Sequence, residues 1–267
     1  MLTKRLVACF DVVEKLTEDK KRHEITVEKE YVADLARDMY RAQIDELYIY
    51  DKTASIENKH IDIDVIKSVA RHVFVPLTVG GGIRDLGDMF KALKAGAEKI
   101  SINTMAVRNP KLIEDGAKAF GSQCILLTTH VIKAQGMPSG YEVYIDAGRT
   151  ATGLDAIDWL KEAEKLGAGE VCLRTIENVG NTGGGATFYG FDSKLIKKVE
   201  SFISVPLIAS CTTAEPEQIK DVFTKTEAGA AIIGSNFRFC EQKKDYTVVE
   251  LKKYLIESGI NMRPPSK

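Results

Sequence analysis

Residues 75–104, VPLTVGGGIRDLGDMFKALKAGAEKISINT, decide the fold. The run at 75–79 is short, apolar and partly β-branched, as a buried strand is, and it stops on three glycines. A helix follows over 85–95, and "KAGAEKI" puts a glycine between the helix end and the next strand at 98–102. The unit is β-α-β, and the same alternation runs along the whole chain. Strands are predicted at 4–10, 46–51, 75–79, 98–102, 124–129, 170–174, 205–209 and 230–234. Helices fall between and after them, at 30–43, 62–72, 85–95, 109–119, 153–166, 192–202, 214–223 and 247–258. Asn109-Pro110 fits a cap with proline in the first turn, and Thr213 with Glu215 and Pro216 fits another. Eight strands in strict alternation, without a linker, predict one (β/α)8 TIM barrel domain over 1–267. In that fold the C-terminal strand ends build the site and the N-terminal ends serve stability.

The opening stretch has a partner later in the chain. "VPLTVGGG" (75–82) is echoed by "VPLIASCT" (205–212), and "GAEKISIN" (96–103) by "GAAIIGSN" (229–236). Two matches in the same order point to a half-barrel internal repeat. The repeat also carries chemistry. Glycines without Cβ atoms let backbone N–H groups approach a phosphate, and Gly81 and Gly82 stand before a helix. Asn103 and Thr104 end the neighbouring strand with two donors, completing a first phosphate cup. The plainer alternative is that the glycines only turn the chain. In the second cup Ser210, Cys211 and Thr212 replace the glycines, while Gly234, Ser235 and Asn236 stay small or polar.

Composition narrows the function classes. The chain has 267 residues, 44% hydrophobic and 28% charged, with a formal net charge of −1. That size can hold a full core. The balanced charge gives no global field for nucleic acid or a membrane surface, so neither is expected as a partner. Five cysteines without close spacing suggest neither disulfides nor zinc, and no metal or other cofactor is expected. Cys9, Cys124 and Cys172 lie in apolar runs as small core residues. The N-terminal apolar run is too short for a signal peptide, which makes a cytoplasmic protein the expectation.

Longer stretches carry a resemblance. "KRLVACFDV", "DELYIYDKTAS", "PLTVGGGIRD", "AEKISINT", "AVRNPKLI", "FGSQCI", "GAGEV", "PLIAS" and "ELKKYL" occur in the order of the HisF family. The chain resembles these cyclase subunits of imidazole glycerol phosphate synthase over nearly its whole length. The resemblance implies a barrel that takes ammonia from a HisH-like glutaminase docked at its N-terminal face. Ammonia then meets a phosphorylated small-molecule substrate at the opposite mouth. It implies catalysis by Asp11, and an ammonia gate of Arg5, Glu46, Lys99 and Glu170. Charges alternating near strand starts are also the pattern of a structural salt-bridge layer.

Departures cluster at the mouth. His130 stands where the family has its second catalytic aspartate, which makes Asp11 and His130 the expected acid/base pair, since imidazole titrates near neutrality. The loop 177–181, ENVGN, has Val179 in place of an aspartate but keeps Gly180, a substrate-binding candidate. Asp19 stands at the place of a catalytic-loop lysine, with Lys20 and Lys21 adjacent. Lys52 replaces a usual apolar residue and either points outward or contacts an anion; Asp51 is a secondary mouth group. Three functions follow: a HisF-type paralog acting on a different phosphorylated or nucleotide-like substrate, the histidine-pathway cyclase itself, or a non-catalytic ammonia-relay scaffold.

Overall fold

The computed structural model describes residues 3–14, 26–57, 59–176, 190–211, 215–233 and 247–266. Its strands are β1 (Arg5–Val13), β2 (Thr26–Glu28), β3 (Glu46–Asp51), β4 (Leu77–Gly80), β5 (Lys99–Ile102) and β6 (Ile125–Lys133). They continue with β7 (Tyr141–Ile145), β8 (Thr150–Asp155), β9 (Glu170–Thr175), β10 (Leu207–Ser210) and β11 (Ala230–Ile233). The helices are α1 (Val32–Arg41), α2 (Lys52–Ile56), α3 (Ile63–Ala70), α4 (Leu86–Lys94) and α5 (Thr104–Arg108). After them come α6 (Lys111–Phe120), α7 (Ala156–Leu166), α8 (Ser193–Glu200), α9 (Pro216–Lys225) and α10 (Val248–Glu257).

Parallel pairing runs β5-β4-β3-β1-β11-β10-β9-β6, and β6 pairs back onto β5. The ring is closed, a (β/α)8 barrel. The echoed segments sit opposite each other: β4 reaches β10 through β3, β1 and β11, four strands on. Strand alternation then sorts the side chains. On β1, Leu6, Ala8, Phe10 and Val12 face the helices and join the large outer core. Val7 and Cys9 face inward, into a separate cluster with Tyr48, Leu126, Cys172, Ile208 and Ile232. Trp159 is buried in the outer core, as its helical setting suggests.

Three differences from the sequence expectation matter. The strand at 124–129 runs on to Lys133, because Val131 and Ile132 continue its apolar pattern into an antiparallel hairpin with β7 and β8. His130 is therefore inside a strand, one residue before the parallel ladder to β9 ends. The helix expected from 153 starts at Ala156, since Thr150–Asp155 is the hairpin's return strand and Asp155 is the cap, accepting from Ile157 N and Asp158 N. The short helices α2 and α5 open directly on strand ends, within loops too short for a helical period to show.

Candidate active site

At the N-terminal end of the barrel, Arg5, Glu46, Lys99 and Glu170 are each the first residue of their strand. Arg5 Nη1 donates to Glu46 Oε2 at 2.6 Å, and Lys99 Nζ to Glu46 Oε1 at 3.0 Å and Glu170 Oε2 at 2.6 Å. Arg5 also pairs with Glu170, which closes a four-membered ring of alternating charge. Thr78 donates to Glu46 from within. Burial pulls the Arg5 guanidinium down, but Glu170 and Glu46 outweigh it and the net shift is upward. Buried pairs of this kind contribute little net stability, because desolvation offsets their attraction.

At the other end, Asp11 and His130 lie on β1 and β6. The ring path β1-β3-β4-β5-β6 and the path β1-β11-β10-β9-β6 each take four steps, so the two strands are diametrically opposed. Both residues share the inward parity of Val7 and Leu126 on their strands. An acid/base pair that must face across a substrate has this arrangement. Lys52 turns in rather than out: its Nζ donates to Asp11 Oδ2 at 3.0 Å. Arg174 is the register neighbour of His130 on β9. Among the described residues, Lys52, His130 and Arg174 thus share this end of the barrel with the Asp11 carboxylate. Arg174 carries no local signal beyond its period-2 relation to Glu170, and sequence reading missed it.

Asp51 is not a mouth group. It has outward parity and caps α2, accepting from Ala54 N at 2.8 Å, and burial raises its carboxyl. His60 pairs with the buried Asp88 at 2.8 Å.

The first cup is tightly built. Gly81 and Gly82 adopt φ of +83° and +71° after β4. A Cβ on Gly81 would fall 2.2 Å from the Asp51 carbonyl oxygen, and one on Gly82 2.6 Å from Ile61 N. The glycines are thus demanded by packing, whatever they bind. Thr104 Oγ1 accepts from Asp146 N at 3.0 Å, which leaves its hydroxyl proton to donate. Asn103 Oδ1 is buried and without a hydrogen-bond partner among the described residues. Replacing Gly81 with alanine is expected to cost at least about 1–3 kcal/mol from φ alone, with the clash added. Gly140, with φ +84° and open space around it, is the control, and thermal unfolding of Gly81→Ala and Gly140→Ala compares the two.

In the second cup Ser210 is buried at the end of β10. Cys211 is buried too, and burial pushes its thiol up to about 12. Gly180, Gly234 and Ser235 lie outside the described residues, as do Asp19, Lys20, Lys21, Val179, Thr212 and Asn236. Among the described residues no group of His, Cys, Asp and Glu could hold a metal ion, and no helix is long and apolar enough to cross a membrane.

A family model described as "Histidine biosynthesis protein" matches residues 5–243, most of this barrel. The imidazole glycerol phosphate synthase subunit HisF of Desulfatibacillum aliphaticivorans is 41% identical over 266 residues, covering 98% of each chain. The chain belongs to the HisF family. The HisF subunit of Syntrophobacter fumaroxidans is also 41% identical, over 98% of this chain and 99% of its own length. That of Solidesulfovibrio magneticus is 40% identical over 267 residues. Such coverage makes the chain comparable to HisF subunits from end to end, with the barrel, the charged ring and the mouth all inside the matched region.

Proposed function

We propose that this chain is the synthase subunit of a glutamine amidotransferase, joining ammonia to a phosphorylated substrate at the C-terminal mouth. The observation that carries the reading is the opposition of Asp11 and His130 across the barrel, with the charged ring closing the other end. Ammonia comes from a HisH-like glutaminase at the N-terminal face and enters through Arg5, Glu46, Lys99 and Glu170. Gly81, Gly82, Asn103 and Thr104 hold one phosphate, and Ser210 with Gly180, Gly234 and Ser235 belongs to the other end of the substrate. One member of the Asp11/His130 pair removes a proton from the attacking amine while the other donates to the departing or closing group.

His130 and the cations Lys52 and Arg174 favour a phosphorylated or nucleotide-like substrate distinct from that of HisF cyclases. An imidazole does not substitute for a carboxylate that must hold a developing cation. A second reading, the histidine-pathway cyclase itself, is favoured by 41% identity to HisF subunits along the full length. Ammonium chloride-driven turnover of the ribulosyl bisphosphate substrate of HisF cyclases separates them. The first reading expects slow wild-type turnover that His130→Asp raises at least tenfold. Fast wild-type turnover that His130→Asp lowers establishes the second. If His130→Ala leaves every ammonia-dependent activity intact, His130 has no acid/base role and a relay scaffold is the remaining function.

A further inference from the structure

Between the charged ring and the mouth, one side chain crosses the barrel. Tyr48 follows Glu46 by two residues on β3 and shares its inward parity. Its hydroxyl bonds to Ser101 on β5 and, at 3.0 Å, to Thr128 on β6, and Ser101 and Thr128 bond each other at 2.8 Å. From β3 to β6 is three of the four steps to the far side of the ring, so the phenol spans most of the interior. Tyr48 is 4% exposed, and Val7, Leu126, Cys172 and Ile208 pack the same layer. No residue of the ring below touches this triangle of hydroxyls in any of its hydrogen bonds among the described residues.

We propose that Tyr48 is a second gate on the barrel axis, its ring closing the interior and its hydroxyl latched by Ser101 and Thr128. The proposal rests on the ammonia-transfer reading and adds a residue to it. Ammonia leaving the charged ring meets three hydroxyls already arranged as donor and acceptors. It accepts one hydrogen bond and donates up to three, so it can replace each bond that Tyr48 gives up on swinging aside. Burial holds the Tyr48 hydroxyl well above its ordinary pKa, so ammonia meets a neutral group rather than a phenolate. Opening therefore keeps Ser101 and Thr128 hydrogen-bonded, to the passing molecule instead of to Tyr48.

Cys172 reports on the seal without any substrate. It lies in the same layer, 1% exposed, and burial pushes its thiol up to about 12. The full chain is treated with methyl methanethiosulfonate, and modification of Cys172 is followed by peptide mass spectrometry. Tyr48→Ala should label at least tenfold faster than wild type, while Tyr48→Phe, which keeps the ring, should stay within a few-fold of it. Tyr48→Val takes the place of Tyr48→Ala if the latter does not fold. Equal labelling of wild type and the small variants overturns the seal.

Passage is tested with the chain bound to its glutaminase. The ratio of glutamine-driven to ammonium chloride-driven turnover should fall at least tenfold in Tyr48→Trp, because added ammonium enters from the mouth. An unchanged ratio, with Cys172 still protected, overturns the gate. If neither nitrogen source supports wild-type turnover, the amidotransferase reading has failed, and the labelling rates still decide whether Tyr48 closes the barrel.

Discussion

Asp11→Asn is expected to lower ammonium chloride-driven turnover by about 10²–10⁴-fold, the range for loss of a general acid or base. The substitution keeps side-chain shape and an acceptor for Lys52, so the barrel should remain folded. What it removes is the ability to take up a proton at the one inward carboxylate identified at the mouth among the described residues. Glutamine-driven and ammonium-driven rates should fall together, because Asp11 lies beyond both the ring and Tyr48. A drop confined to the glutamine-driven rate would move Asp11 from the chemistry to the ammonia path. A variant within threefold of wild type would remove it from the proposed pair altogether. Circular dichroism and thermal unfolding on the same samples separate lost chemistry from lost fold.

Lys252→Ala should produce the largest loss of stability. Lys252 is 1% exposed on α10, and its ammonium pairs with Asp45 and donates to the Gln43 carbonyl at 2.7 Å. Gln43 holds a φ of +67°, uncommon for a residue with a side chain, in the tight connection from α1 to β3. Asp45 also accepts from Leu6 N at 3.0 Å, which ties that connection to β1. Removing the ammonium strands a buried carboxylate, a loss of about 3–5 kcal/mol. For a chain of this size about 2–4 °C of Tm accompanies each kcal/mol. The double variant Lys252→Met/Asp45→Asn should recover much of the loss, since the carboxamide still accepts from Leu6 N without a buried charge. If the double variant is no more stable than Lys252→Ala, the stranded carboxylate is not the cause.

Arg5, Glu46, Lys99 and Glu170 came from the HisF resemblance, and the structure brings the four together in one ring of ion pairs. The glycines at 81 and 82 were found too, but as phosphate ligands. Their packing against Asp51 and Ile61 depends on a loop from another β-α unit, which no local pattern reveals. Lys52 had two open orientations, and only the pairing with Asp11 selects one. Tyr48 passed as a strand residue in "ELYIYD", although its spacing from Glu46 already gave it an inward face.

The sequence by itself determined the alternation of eight strands with helices, the half-barrel echo and the HisF relationship. Those are properties of period and order along the chain. Only the tertiary structure decided that Asp11 and His130 stand on opposed strands, that Tyr48 reaches Ser101 and Thr128, and that the strand of His130 continues into a hairpin. Each of these depends on the closed ring, in which β5 meets β6 and β11 meets β1. Closure fixes which inward side chains face one another, and a repeat of two residues along a strand carries no information about distance across a barrel.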